Sequence, residues 1–485
     1  MLSNIKHFFV YFALALLFYS TAHAYKTDTV IGKNEVSSKV KIEKIVKTQR
    51  IKDNILENVP VAGKIVKEEI DDKTNAIIWT LSNGATVVFK KTDSEIDKIA
   101  MTALAKGGIL NVPKKEIIST KLVGVFGDVY FDKFRQQLEL EGFLYFDLED
   151  FAHKFTGEIE QDSIKIFFEI LYWDFTDSKI DSKEVKLYME YSRSMFEEME
   201  TVPFHPKSLL DHGDIIYNTD PYLKPLKSSD FSKFNINTSL KLIKKYLNPA
   251  DYTFVFVGNI NINVFREYVE TYLASIHSGK EKSILPKHRA AYAGNQKIEI
   301  YNIGTYSKEY MYFIIRDQYF QNNELVVDVL KEYLKNILNK YVTTKYIESF
   351  YVNGKNNIRR MIAGVGDLLF SIVFSCEPDK IDGNIAAIKE DLKKIANSNI
   401  DLDSFNKAKN TIKAEYIKKL QDNMWLSERY AIFSVIYEKS FNDIYEQQKM
   451  YDAVTPKDLQ EVVAKTLEEG ITCILEYPGH KNSRS

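Results

Sequence analysis

The sequence predicts an α+β fold of two tandem domains, each a mixed or antiparallel sheet packed with helices. Three observations carry that prediction. The stretch Asp251 to Leu273, DYTFVFVGNININVFREYVETYL, joins a short apolar run to a helical stripe across a turn. Trp79 to Phe89 reads as two strands around Asn83-Gly84, the strongest short hairpin signal. The second half of the chain then repeats the order of the first: strands, helices and a closing strand. At 485 residues the chain exceeds one comfortable hydrophobic core.

Along the first half, the hairpin is followed by a third strand at 99–105, closed by Gly107-Gly108. Helical segments are expected at 115–125, 131–141, 161–173 and 181–199. The region 203–235 carries Pro203, Pro206, Pro221 and Pro225 and reads as mostly irregular. A helix at 236–247 leads into Thr253–Val257, a β-branched and aromatic run of the kind found in strands buried on both faces. Asn261 or Asn263 caps the next helix, because a short side-chain oxygen accepts an otherwise orphaned backbone N–H. Its apolar stripe is Val264, Phe265, Tyr268, Val269, Tyr272 and Leu273.

In the second half, strands are expected at 297–303, 309–316, 346–353 and 366–376. Helices are expected at 322–339, 381–397, 401–421 and 424–438, and a final helix and strand at 455–476. The predicted organisation is therefore a signal peptide at 1–24, a leader at 25–70, a first domain at 71–278, a linker at 279–296, a second domain at 297–480 and a tail at 481–485. The linker is assigned from its polar composition, Pro286 and Gly294.

A formal net charge of -2 argues against nucleic-acid binding, which needs clustered positive charge. Lys6 and His7 precede an apolar run from Phe8 to Phe18, and Ala22-His23-Ala24 supplies small residues for cleavage, so the chain reads as exported. An uncleaved anchor is the alternative, although the run falls short of the roughly 20 residues of a membrane span. Cys376, in SIVFSC, and Cys473, in ITCIL, are the only cysteines, and both read as buried strand residues.

No catalytic motif is found. An inverted zincin places H-x-x-E-H on one helix, so that two histidines share a face and bind metal while the glutamate activates water. The eight histidines here are His7, His23, His153, His205, His212, His277, His288 and His480, and no two are four apart. The helix expected to carry such a motif, Glu116 to Phe126, contains none. His205 and His212, with Asp211 and Asp214, form the one cluster of metal-ligand types, but Pro206 and Gly213 break its spacing. Nucleotide-binding loops and serine-hydrolase elbows are absent as well.

Several segments in order resemble the insulinase-like (pitrilysin) zinc metallopeptidase family, covering nearly all of 65–478. WTLSNGATVVFK resembles its entry strands, and DYTFVFVGNININ the close of its first domain. LLFSIVFSCEPDKIDGNIAAIKEDLKKI resembles a strand and helix of the second domain. FNKAKNTIKAEYIKKLQDNMWL resembles the long helix and following step, marked here by Asn423 and Trp425; TPKDLQEVVAKTLEEGITCILEYPG resembles the C-terminal helix and strand. The resemblance is to the half of long bacterial members that lacks H-x-x-E-H. It implies half of a clam-shell whose zinc sits in a partner subunit, with no cofactor in this chain. It also implies that Tyr351 is the substrate-binding residue; the Arg that accompanies it in the family has no match at the expected spacing, Lys345 being nearest. The expected function is the non-catalytic half of an exported two-subunit zinc metalloendopeptidase that pairs with an H-x-x-E-H subunit and positions peptide substrates. The alternatives are a structural or peptide-binding protein without a proteolytic partner, and a peptidase with an unorthodox metal site.

Overall fold

The computed structural model describes residues 55–131, 134, 138, 142–176, 182–201, 215, 220–279, 282–286, 295–302, 307–316, 320–343, 349–354, 367–397 and 400–478. The signal segment, His205, His212 and Lys345 lie outside the described residues. In the first half the order is β1 (Ile65–Ile70), β2 (Ile77–Leu81), β3 (Thr86–Lys91), β4 (Lys98–Lys106), α1 (Ile117–Phe131), β5 (Gly142–Leu148), β6 (Ala152–Glu160), α2 (Ile164–Thr176), α3 (Ser182–Thr201), α4 (Ile236–Tyr246), β7 (Tyr252–Gly258) and α5 (Ile262–Tyr268). The second half runs β8 (Lys297–Asn302), β9 (Ser307–Arg316), α6 (Phe320–Thr343), β10 (Ser349–Gly354), β11 (Asp367–Cys376), α7 (Ile381–Asn397), α8 (Leu402–Lys419), α9 (Asn423–Ile432), α10 (Asn442–Ala453), α11 (Pro456–Glu469) and β12 (Ile471–Pro478).

Among the described residues these strands make two sheets, of seven strands in the order β1-β2-β3-β7-β4-β6-β5 and of five in the order β10-β11-β9-β12-β8. The wiring is duplicated. β7 inserts between β3, to which it runs parallel, and β4, to which it runs antiparallel. β12 inserts in the same way between parallel β8 and antiparallel β9. The remaining strands, β6-β5 and β11-β10, extend each sheet antiparallel. The halves therefore share one topology, differing by the β1-β2 hairpin. β1 occupies 65–70, residues that read as leader in the sequence; most of its side chains are exposed, so it shows no apolar period.

Local chemistry explains the central elements. Every residue of β7 is buried. Phe254 and Phe256 join one core with Trp79, Phe89, Phe168 and Phe265, while Val255 and Val257, on the other face, join the core of the second half. Each such side chain contributes about 1.5–3 kcal/mol over leaving it exposed. Gly84 adopts φ +87°, the left-handed conformation the hairpin turn requires. Beside it, the Asn83 carboxamide donates to the carbonyls of Leu273 and Ile276 at 2.8 and 2.9 Å. Those carbonyls lie at and just beyond a π-helical turn, Val269–Leu273, that continues α5. Asn261 is the N-cap of α5, accepting from the N–H of Asn263 and Val264. Phe265, Val269, Tyr272 and Leu273 are buried as the stripe predicts, but Val264 is exposed. Cys376 and Cys473 are buried strand residues.

α9 belongs to the second half by sequence but packs on β4 and β7 of the first sheet. Leu426, Tyr430 and Ala431 share a core with Leu104, Ala152, Val255 and Val257. No described helix is long and apolar enough to cross a membrane.

Candidate functional site

α1 covers most of Glu116 to Phe126, the segment expected from the sequence to be the motif-bearing helix. β4 ends at Gly107, with φ +93°, and Gly108, where an added Cβ would lie 2.2 Å from the carbonyl oxygen of Glu149. This close approach lets the chain turn from the sheet into α1. Ile117, Leu122 and Val123 fasten α1 to the core. Between them, Lys121 donates from Nζ to the carbonyl of Pro221, at 3.4 Å, and to that of Lys224. Burial pulls the Lys121 amine down to about 8, against the opposing pull of Asp150, Asp230 and Asp220. A helix carrying this amine and no histidine does not fit a zinc ion. Among the described residues no three His, Cys, Asp or Glu side chains gather to hold a metal.

His153 and His277 are the described histidines. His153 sits on β6 and is fully buried. Its Nδ1 lies 2.7 Å from the carbonyl of Gly107, which only accepts, so the ring proton is on Nδ1. The ring meets Tyr252 edge-on at 5.1 Å and Tyr246 at 4.7 Å. Burial, only partly opposed by the bond to Gly107, pulls its pKa down to about 4. This is a neutral core histidine that ties the Gly107 turn to α4 and β7, and nothing in the sequence pattern marks it as such.

The step marked by Asn423 and Trp425 proves to be a joint between the halves. Fully buried Asn423 accepts from the Thr92 hydroxyl at 2.7 Å and donates to the carbonyl of Lys98 at 3.4 Å, while its N–H reaches Glu95 at 3.0 Å. Further along α9, the hydroxyls of Ser427 and Thr102 meet at 2.8 Å. Lys154, nearly buried, bridges Glu428 at 3.1 Å and Glu149 at 3.2 Å. Polar groups facing across the seam satisfy one another, which fixes the register of α9 on the sheet.

Tyr351 lies on β10, the edge strand of the second sheet. Its register row runs Tyr351, Val373, Tyr310, Ile474. The neighbouring row holds Phe374, part of the core with the helices of this half. The Tyr351 side chain falls outside the described residues.

With this geometry in place, similarity to known proteins becomes informative. Residues 233–412 match the Peptidase M16 inactive domain, a segment that runs from the start of α4 into α8. The chain is therefore similar over this segment to insulinase-like (M16) proteins. The probable zinc protease PqqL of Haemophilus influenzae is 20% identical over 356 residues, covering 70% of this chain and 37% of that protein. Among solved structures, the periplasmic protease PqqL from Escherichia coli superposes with a TM-score of 0.69 at 14% identity, over 92% of this chain and 51% of the other. A chain of complex III from Candida albicans superposes with a TM-score of 0.65 at 14% identity, over 82% and 95%. The chain thus spans about a third of this curated relative and half of the Escherichia coli enzyme.

Proposed function

We propose that the chain is the non-catalytic half of an exported, two-subunit insulinase-type zinc metalloendopeptidase. A partner subunit supplies H-x-x-E-H and the zinc, and this chain closes the chamber and positions peptide substrates. The match of residues 233–412 to the inactive domain carries this reading, and an α1 without histidine supports it. The apolar segment at 8–18 with its small-residue cleavage positions supports export. Complex III of Candida albicans contains a chain of the same fold, which keeps a structural role without proteolysis as the second reading.

Co-expression with an exported H-x-x-E-H insulinase-type protein tests the reading. A stable complex that cleaves unstructured peptides, when neither chain does so alone, is the expected outcome. One tightly held zinc in this chain alone, with chelator-sensitive cleavage, would overturn it. In the reconstituted complex, Tyr351→Phe should lower kcat/KM, because a phenol that bonds the substrate or its developing oxyanion contributes up to roughly 3–4 kcal/mol in the best cases. An unchanged kcat/KM would assign Tyr351 to packing.

A further inference from the structure

We propose that β8 is a docking strand for the carboxyl terminus of an extended peptide, anchored by Lys389. A surface cleft of about 140 Å³ opens between α7 and the first residues of β8 and β12. Asp382, Ile385 and Lys389 line it from one face of α7, at the spacing that aligns residues on a helix. Gln296 and Lys297 line it from the start of β8.

The charges in the cleft do not cancel. Lys297 donates to Asp382 at 2.6 Å, so those two compensate each other. Half-buried Lys389 makes no hydrogen bond or ion pair to any described residue, and neither does the Gln296 carboxamide. Among the described residues the cleft therefore offers one uncompensated ammonium beside an amide donor, the complement of a monoanion. Its volume holds four or five groups the size of a water at about 30 Å³ each, enough for a carboxylate and the carbon that bears it.

The adjoining strand says what bears that carboxylate. β8 ends the second sheet: one edge pairs with β12 and the other with no described strand. Along it, exposed Lys297 and Glu299 alternate with half-buried Ile298 and Ile300. An added strand would find backbone N–H and C=O groups that no described strand pairs, and apolar side chains at alternate positions. If it runs antiparallel to β8, its last residue comes to the start of β8, beside Gln296 and Lys389. Backbone pairing then provides affinity, and capture of the terminal carboxylate sets the register.

The purified chain alone tests this, so failure here leaves the zinc-partner reading untouched. A fluorescent, soluble hexapeptide with alternating apolar residues and a free carboxyl terminus should bind saturably by anisotropy. Its C-terminal amide should bind about tenfold more weakly, the typical effect of losing a charge-assisted hydrogen bond. Lys389→Met should weaken the free acid equally, and the two changes combined should cost no more than either alone. Equal binding of acid and amide, indifference to Lys389→Met, or no saturable binding of the acid would overturn the proposal. Acetate should compete only weakly, and an affinity equal to the peptide's would remove the role of β8.

Discussion

The strands β3-β7-β4-β6-β5 and β8-β12-β9-β11-β10 follow the same course, yet the two sheets are finished differently. The first receives α9 from the other half over β4 and β7, and the β1-β2 hairpin along the edge of β3. The second ends at β8 among the described residues. Val255 and Val257 of β7 join the core of the second half, so the first unit does not close its own interior. The result is two units of one topology in which the first depends on the second. The second leaves the outer edge of β8 without a described partner strand.

The largest test of that dependence removes the centre of the joint. Tyr430 is fully buried on α9, its ring 4.6 Å from Phe441 and its hydroxyl 3.1 Å from that of Tyr445. Tyr430→Ala should cost about 3–5 kcal/mol and split urea unfolding into two transitions as the halves uncouple. One transition at an unchanged midpoint would show that the halves do not lean on each other.

A medium effect separates the halves by pH. His153 lies in the first half, and no histidine occurs between His288 and His480. Its folded pKa of about 4 lies below the ordinary 6.5. The unfolded chain thus takes up a proton that the folded chain refuses as pH falls below 6.5. Stability from this group is complete above 6.5, declines as pH drops and levels off near 4. Between pH 7 and 5 the loss should be about 2 kcal/mol. Urea titrations should show that slope in the native protein and its absence in His153→Gln; equal slopes would refute the assignment.

A smaller effect probes the polar seam. Asn423→Ala strands the Thr92 hydroxyl and the carbonyl of Lys98 and should cost about 1–2 kcal/mol. In a background of Thr92→Val the cost should shrink, because the hydroxyl left unpaired is then gone. Additive losses would mean that the two residues act separately.

The sequence discloses some of this construction readily. The unbroken apolar run of β7, the Asn83-Gly84 turn and the Asn261 cap are local signals, and each forms where the residues indicate. The β5-β6 hairpin is hidden because Glu149, His153 and Lys154 interrupt its pattern, and these are buried only because Glu428 and Gly107 come to meet them. α10 escapes because its buried face alternates Ile444 and Tyr451 with Gln447, which accepts from Tyr416 and Arg429. Val264 fits a helical stripe yet faces solvent, since apolar spacing does not say how wide the covered face is. At the candidate site, a helix without histidine is legible by inspection. Thr92, Thr102 and Ser427 read as ordinary polar residues until tertiary pairing brings them together across the chain.

The placement of β7 and β12 also sets a timetable for biogenesis. Each sheet is completed by a strand that slots between two made far earlier, so β3 and β4 wait for residue 258 and β8 and β9 for residue 478. Such long-range pairing slows folding. The wait is longest for Leu104, which, like Val255 and Val257, stays uncovered until α9 has emerged from the ribosome. A nascent chain stalled before residue 423 would present that apolar surface to its surroundings, where holding chaperones act and where aggregation begins.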